Sequence, residues 1–214
     1  AQALRVLTSA TLSQHIIPQA VDLFRIRKPG VPVSISSVGS AQLVAGLALQ
    51  EADVGLLLSV LSHPALSAEC LARGDMVCVV SKEAPWARRL AAGPVALSAL
   101  ATEPVIGLAA NDPIGRLLQQ ACRDAGVQLQ SEVTVQNYHA ALAFAHRGTG
   151  MAIVDSFTAL SADLDKVVVR SIAPHIPISL QAMRPRGKAP LASLPAFLDC
   201  VREASGNDHA GAAP

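Results

Sequence analysis

The stretch that decides the fold is residues 31–58, VPVSISSVGSAQLVAGLALQEADVGLLL. Its first part, Val31 to Val38, is predicted to be a strand, and residues 53–58 form a short apolar run typical of a strand buried on both faces. Between them, apolar residues at helical spacing follow Gly39 and Ser40 and predict a helix. A strand, a helix and a strand in this order predict parallel strands joined by a crossover helix.

The same pattern extends toward the amino terminus. Residues 4–9 alternate in polarity and then turn polar, which predicts a first strand ending in a hydroxyl-rich loop. Apolar residues at helical spacing from Leu12 to Phe24 predict one helix that ends at residues 28–30, Lys-Pro-Gly. The chain therefore begins β-α-β-α-β, the pattern of a doubly wound parallel sheet.

The pattern changes after residue 58. Residues 66–71 and 76–80 are predicted to be two strands, because the few residues around Gly74 cannot form a helix between them. The chain can leave the first sheet here and enter a second one. Further strands are predicted over residues 105–108, 132–136, 151–154, 167–169 and 178–180, and helices over residues 113–125, 137–146 and 191–204, with a short helix after Asp155.

These elements predict an α/β fold of two similar sub-domains with two chain crossings. We expect residues 1–73 and 175–206 to form the first sub-domain, residues 74–174 to form the second, and residues 207–214 to be a disordered tail.

Composition narrows the class of protein. The chain has 214 residues, of which 51% are hydrophobic and 3% aromatic, and its net charge is +1. These values exclude a disordered chain and do not favour a nucleic-acid surface. No run of 18 apolar residues occurs, which excludes a transmembrane helix. The start at Ala1 predicts a trimmed chain without a signal peptide. The four cysteines form no C-x-x-C pair and predict buried free thiols in a reducing cytoplasm.

Sequence signatures of catalysis are lacking. There is no H-E-x-x-H pattern and no paired Cys/His spacing, so no metal centre is expected. The residues around Ser40 do not form G-x-S-x-G, and no Walker A sequence occurs. Residues 148–150, Gly-Thr-Gly, follow a predicted helix and precede a predicted strand, which indicates a helix C-cap turn. These observations favour binding over catalysis, with no cofactor.

Short polar residues stand where predicted strands end and helices begin. In open α/β sheets, ligands bind at the carboxyl ends of the strands. Free N–H groups at helix starts, together with hydroxyls, can hold a carboxylate or another anion. Asp155 could instead meet an amino or guanidinium group, and ordinary helix capping remains the alternative for each position. The candidate ligand-binding residues are Ser9, Ala10, Thr11, Gly39, Ser40, Asn111, Gln136, Asn137, Asp155 and Ser156.

Several segments, in order and spacing, resemble one known family. Residues 38–43 (VGSAQL), 52–56 (ADVGL) and 148–154 (GTGMAIV) are similar to segments of the effector-binding domain of LysR-type transcriptional regulators. The resemblance covers residues 4 to about 204. Residues 154–159, VDSFTA, also resemble the V-D-P-F-T-A stretch of members that sense opines and related amino acids, with Ser156 in place of the proline.

The resemblance implies a fold and an assembly. It implies two Rossmann-like sub-domains joined by two crossover strands, like type 2 periplasmic binding proteins, with the effector between them. It also implies a cytoplasmic homodimer, and a tetramer in the full-length protein. The predicted helices Leu12 to Ile26 and Pro113 to Ala125 would meet across an antiparallel dimer. DNA would be bound through an N-terminal winged helix-turn-helix, for which no basic recognition helix precedes Leu4.

Three functions follow as hypotheses. The first is a ligand-sensing domain of a bacterial transcription regulator, whose effector is a small carboxylate of the amino-acid or opine kind. The second is a solute-binding protein of a transport system, which shares the architecture. The third is an enzyme on the same two-lobed fold, such as hydroxymethylbilane synthase, whose cofactor-attaching and acid residues have no counterpart that we can place here.

Overall fold

The computed structural model describes residues 2–59, 61–88, 93–108 and 113–206. The chain divides into two compact units. Unit 1 comprises Ala1–Arg73 and Ser179–Pro214, and unit 2 comprises Gly74–Ile178. The sequence prediction places the second boundary between residues 174 and 175, whereas the structure places it between residues 178 and 179.

Unit 1 is built on a mostly parallel sheet. Its strand order is β2-β1-β3-β10-β4, in which β1 runs parallel to β2 and β3, and β10 runs antiparallel to β3. The elements are β1 (Leu4–Thr8), α1 (Ala10–Ser13), α2 (Ile16–Arg27), β2 (Val33–Ser37), α3 (Ser40–Ala48), β3 (Val54–Leu57), the first part of β4 (Leu66–Ser81), most of β10 (Pro177–Pro185) and α8 (Leu194–Ala204).

The core of unit 1 contains side chains from α2 and α8 and, in a separate cluster, from α3. Phe24 of α2 and Phe197 of α8 are fully buried and meet edge to face, with ring centroids 5.5 Å apart. A second cluster joins Leu43 and Leu47 of α3 to Met183 of β10. Because β3 is buried along its whole length, the prediction of a strand covered on both faces is confirmed.

Unit 2 repeats the strand-and-helix plan. Its strand order is β7-β6-β8-β4-β9-β5, in which β6 runs parallel to β7 and β8, and β4 runs antiparallel to β8 and β9. The elements are the end of β4, a 3₁₀ turn (Pro85–Arg88), β5 (Val95–Ala96), α4 (Leu97–Leu100), β6 (Val105–Leu108), α5 (Pro113–Asp124), β7 (Val133–Val135), α6 (Tyr138–His146), β8 (Met151–Asp155), α7 (Ser156–Ala159), β9 (Val167–Ala173) and the first residues of β10.

Two strands that the sequence predicts as separate are one. β4 runs without interruption from Leu66 to Ser81, so the prediction of a break at residues 73–75 is wrong. Gly74 does not turn the chain here. Instead, a Cβ at this position would lie 2.3 Å from the Ser156 hydroxyl oxygen and 3.1 Å from the Phe157 ring. The glycine is therefore required for close packing within unit 2, and it misleads a prediction based on turn residues.

The first predicted helix is also different. It is divided into α1 and α2, because His15 has non-helical backbone angles of φ −133° and ψ −62°. Pro18 explains the division, since proline has no N–H to donate and is tolerated in the first turn of a helix but not in its interior. Starting α2 at Ile16 places Pro18 in that first turn.

The prediction of a C-cap turn at residues 148–150 is confirmed. Gly148 has φ +72°, and its N–H donates to the Ala145 carbonyl at 3.0 Å. The Thr149 N–H donates to the Phe144 carbonyl at 3.2 Å, which completes the turn after α6.

The remaining predicted helices and strands are present with shifted ends. α8 begins at Leu194 rather than at residue 191, and β9 and β10 are longer than predicted. The sequence analysis does not predict α4, β5 or the 3₁₀ turn. In the described part of the chain, no helix has both the length and the apolar character that crossing a membrane requires. The predicted tail, residues 207–214, lies outside the described residues.

Candidate functional site

The carboxyl end of β1 is held between its two neighbouring strands. The Val38 N–H donates to the Thr8 carbonyl at 2.9 Å, and the Ser9 N–H donates to the Leu56 carbonyl at 3.1 Å. These bonds bring the segment after β1, with Ser9, Ala10 and Thr11, beside the segment after β2, with Gly39 and Ser40. Unit 1 therefore gathers all five of its predicted site residues at one edge of its sheet.

The Ser9 hydroxyl is the most informative atom at this edge. Ser9 is the N-cap residue of α1, yet its side chain makes no capping hydrogen bond. Its Oγ is buried and has no hydrogen-bond partner within the described part of the chain. A buried hydroxyl without a partner is costly, and a ligand atom at this place would remove the cost.

The start of α3 faces the same edge. Its N-cap residue is Gly39, which has no side chain and makes no capping bond. The first backbone bond of the helix is the Leu43 N–H to the Gly39 carbonyl, at 2.9 Å. The N–H groups of the first turn have no partner within a helix, and the helix dipole adds a partial positive charge there. This end of α3 suits an anion.

In unit 2, the predicted site residues that the structure describes lie at the ends of β7 and β8, the two strands that flank β6. The register pairs Leu108 with Val135 of β7, and β8 pairs with β6 on the other side. Gln136 is exposed directly after β7. Asn137 caps α6, because its side-chain oxygen accepts a hydrogen bond from the Ala140 N–H at 2.7 Å. Asn111 lies outside the described residues.

Asp155 is a buried cap of α7. It has no exposed surface, and its two carboxylate oxygens accept hydrogen bonds from the N–H and the hydroxyl of Thr158. Burial raises the pKa of Asp155 to about 6, against the opposing effect of these hydrogen bonds. The structure thus gives Asp155 a role inside unit 2, and its direct contact with a ligand stays a prediction.

The Ser156 hydroxyl also makes a hydrogen bond within unit 2. Its hydroxyl oxygen accepts a hydrogen bond from the Asp75 N–H at 3.3 Å, which ties the start of α7 to β4. Phe157 is buried and packs beside Gly74. The two residues after Asp155 therefore anchor β4 within unit 2.

One residue at the site edge escapes the sequence analysis. Ser59 follows β3, whose Leu56 accepts the Ser9 N–H, so Ser59 and Ser9 continue from adjacent strands. No helix begins directly after Ser59, so the search for polar residues before helices does not find it. Only the position of β3 beside β1 brings it to this edge.

The cysteines are free, and one of them corrects the prediction. Cys78, Cys122 and Cys200 are buried, and burial raises the pKa of the Cys78 thiol to about 12. Cys70 is exposed on β4, so the expectation that every thiol is buried is wrong there. Residues 68 and 70 of β4 are exposed and residue 69 between them is partly buried, so Cys70 lies on the solvent-facing side of this part of the strand.

A model of one protein family matches almost the entire chain. The match is to the LysR substrate binding domain and covers residues 1–206. The chain belongs to this family. The fold is that of LysR substrate-binding domains, which have the type 2 periplasmic-binding-protein-like architecture, and the sequence prediction of fold class is confirmed.

Two curated regulators are similar in sequence to the LysR substrate-binding domain described here. The HTH-type transcriptional regulator DgcR of Pseudoalteromonas sp. is 24% identical over 185 residues, which cover 86% of this chain and 62% of DgcR. The transcriptional activator protein LysR of Escherichia coli is 26% identical, over 86% of this chain and 58% of that protein. The chain thus spans about three fifths of the length of these relatives.

Solved structures show the same fold. The effector-binding domain of BenM with its effector benzoate has a TM-score of 0.80 at 17% identity, and the match covers 100% of this chain and 96% of that one. The effector-binding domain of QuiR in complex with shikimate has a TM-score of 0.74 at 16% identity, with coverage of 96% and 98%.

Proposed function

We propose that this domain binds a small carboxylate effector, of the amino-acid or opine kind, and thereby controls DNA binding and transcription by a longer cytoplasmic regulator. The proposal is one of binding without catalysis. It is supported by the family of the chain and by the names of its relatives, which are transcriptional regulators. DNA would be bound by a part of the regulator other than this domain.

The observation that carries the proposal is that the Ser9 hydroxyl and the start of α3 follow adjacent strands at the same edge of the sheet. The hydroxyl is buried and unpartnered among the described residues, and the neighbouring helix start lacks a side-chain cap. A carboxylate satisfies both groups, because it accepts hydrogen bonds from a hydroxyl and from backbone N–H groups. Thr11 and Ser40 are partly buried at the same edge and provide further hydroxyl donors.

The ligands of the similar structures support the chemical class. Benzoate and shikimate are both small carboxylates, and each is bound by an effector-binding domain of this fold. The two molecules differ in polarity and ring type, so the shared carboxylate is the feature that we transfer. We propose that its contacts here come from Ser9, Ala10, Thr11, Gly39 and Ser40.

We assign the rest of the effector to unit 2. The residues proposed are Asn111, Gln136, Asn137, Asp155 and Ser156. A ligand amino or guanidinium group is the partner that the Asp155 carboxylate would take in addition to its capping bonds. Gln136 is the exposed member of the described set, and Asn137, Asp155 and Ser156 would need to exchange or share their present hydrogen bonds.

The experiment is a thermal-shift panel on the 214-residue chain. The panel contains benzoate, shikimate and a set of amino acids and opines, each matched with a neutral analogue such as benzamide for benzoate. A specific carboxylate should raise the unfolding midpoint in proportion to the logarithm of its concentration, and its neutral analogue should not. Equal stabilisation by the neutral analogues, or by apolar aromatic compounds alone, would reject the proposed chemical class.

We also propose that the domain forms a homodimer and the full-length regulator a tetramer. Ile26 on α2 is 80% exposed and Leu117 on α5 is 42% exposed. Exposed large apolar side chains on these two helices fit a self-complementary contact, in which each pairing occurs twice.

A further inference from the structure

A pocket with basic lining residues lies in unit 1, at the opposite end of the strands from the proposed effector residues. The pocket is shallow and opens to solvent. Asp53, directly before β3, is one of its lining residues, and the length of β1 separates this end from Ser9 by about 15 Å at the usual rise of a strand. The lining residues are Asp53, Arg184, Pro185, Lys188, Ala189, Pro190 and Leu191.

The Asp53 carboxylate is already saturated with donors. Oδ1 accepts from Arg5 Nη2 at 3.1 Å and from Lys188 Nζ at 3.0 Å, and Oδ2 accepts from Arg5 N at 2.9 Å and from Arg5 Nε at 3.3 Å. Each oxygen therefore has two donors. The Asp53 side chain is 3% exposed, and the bidentate Arg5 guanidinium by itself balances its single negative charge.

Positive charge is left over at the pocket. Lys188 has two further N–H donors besides the one directed at Asp53. The Arg184 guanidinium also lines the pocket, and it has neither a hydrogen bond nor an ion pair among the residues that the structure describes. Arg184 is partly buried near the end of β10.

The local sequence reinforces this charge. No aspartate or glutamate occurs between residues 166 and 198, whereas Arg184, Arg186 and Lys188 occur within five residues. Gly187 has φ +75°, and the turn that it forms returns the chain so that Lys188 reaches Asp53. Lys188 in this turn binds the buried Asp53 carboxylate. The three basic residues of the turn carry more positive charge than this carboxylate carries negative charge.

We propose that this pocket binds a small dianionic oxyanion of the phosphate type, between the Arg184 guanidinium and the Lys188 ammonium. Two cationic groups remain once Asp53 is paired with Arg5, and a dianion balances them. The site is separate from the effector residues and does not depend on the proposed effector function.

Equilibrium dialysis of inorganic phosphate against the 214-residue chain tests the proposal, at constant ionic strength maintained with sodium chloride. We expect one saturable site per chain, with acetate a weaker competitor than sulfate. Arg184→Gln should weaken phosphate binding about tenfold or more, as expected for the loss of a charged hydrogen-bond donor. Arg184 has no partner to lose, so the variant should keep the melting midpoint of the parent chain.

The matched control is Arg25→Gln, which removes one positive charge from an exposed position on α2 in the same unit. It should leave phosphate binding unchanged. Lys188→Gln is a second pocket variant and should weaken phosphate binding to a similar extent as Arg184→Gln. The absence of saturable binding, equal affinity in Arg184→Gln and the parent chain, or an equal loss in Arg25→Gln would each overturn the proposal.

Discussion

Asp155 accepts two hydrogen bonds from Thr158, one from the backbone N–H at 2.7 Å and one from the side-chain hydroxyl at 2.6 Å. This pair closes the first turn of α7 in the interior of unit 2, where both residues are buried. The arrangement shows how a residue chosen from sequence as a possible ligand contact serves the fold as a helix cap.

The first prediction concerns stability against pH. Burial raises the pKa of Asp155 from its ordinary value of 3.8 to about 6. Between these two pH values the folded chain holds a proton that the unfolded chain has released, so the free energy of unfolding falls as pH rises. Asp155→Asn should remove this contribution, which corresponds to about 3 kcal/mol.

Urea unfolding of the parent chain and Asp155→Asn at pH 4, 5, 6 and 7 measures the effect. The parent chain should gain stability relative to the variant as pH falls from 7 to 4, and most of the change should lie between pH 6 and pH 4. A difference between the two proteins that stays constant over this range would mean that Asp155 titrates as an ordinary carboxyl group.

The second prediction concerns the hydroxyls at the edge of unit 1. Ser9→Ala, Thr11→Ala and Ser40→Ala should each weaken effector binding by about 1.5–3 kcal/mol, the range for the loss of a hydrogen bond to a charged group. Calorimetry with the carboxylate that gives the largest thermal shift measures the loss. Ser36→Ala, on an exposed position of β2, is the control and should bind like the parent chain. Unchanged affinity in all three site variants would place the effector elsewhere.

The third prediction separates capping from recognition at Asp155. If Asp155 meets a cationic or donor group of the effector, Asp155→Asn should change the order of preference among ligands, because it removes charge and keeps shape. Calorimetry with an amino-acid ligand and with the corresponding carboxylate that lacks the amino group tests this. An unchanged ratio of the two affinities would leave Asp155 with its capping role alone.

The fourth prediction concerns the packing between β4 and α7. Gly74→Ala should destabilise the chain by about 1–3 kcal/mol, the usual cost of overpacking, because its Cβ would lie 2.3 Å from the Ser156 hydroxyl oxygen. Ser156→Ala removes that oxygen. The double variant should therefore be more stable than the sum of the two single changes predicts, by about 1 kcal/mol. Strict additivity in urea unfolding would show that the Phe157 ring, not the hydroxyl, limits the space.

The fifth prediction concerns assembly. Light scattering at tens of micromolar should find a dimer for the parent chain and a shift toward monomer for Ile26→Lys and Leu117→Lys, because each places a charge in an apolar contact. Leu49→Lys is the matched control, since Leu49 is 72% exposed but follows α3 rather than lying on α2 or α5. A monomeric parent chain, or equal behaviour of all three variants, would contradict the proposed interface.

The sequence by itself determined the fold class and the edges of the sheets at which polar residues gather. Hydrophobic periodicity distinguishes helices from strands, and the alternation of the two predicts parallel sheets, so the β-α-β-α-β order from Leu4 to Leu57 needed no structure. The polar residues before helices were found for the same reason, since capping preferences are local.

Only the tertiary structure decided which of those polar groups are already used. Asn137 and Asp155 cap helices, whereas Ser9, of the same residue class and in an equivalent position, caps nothing and has a buried hydroxyl. Burial and hydrogen-bond geometry depend on neighbours that are distant in the chain. The donors on Asp53 show this most directly, because Arg5 and Lys188 lie 48 and 135 residues away from it, and no local pattern in the sequence encodes their meeting.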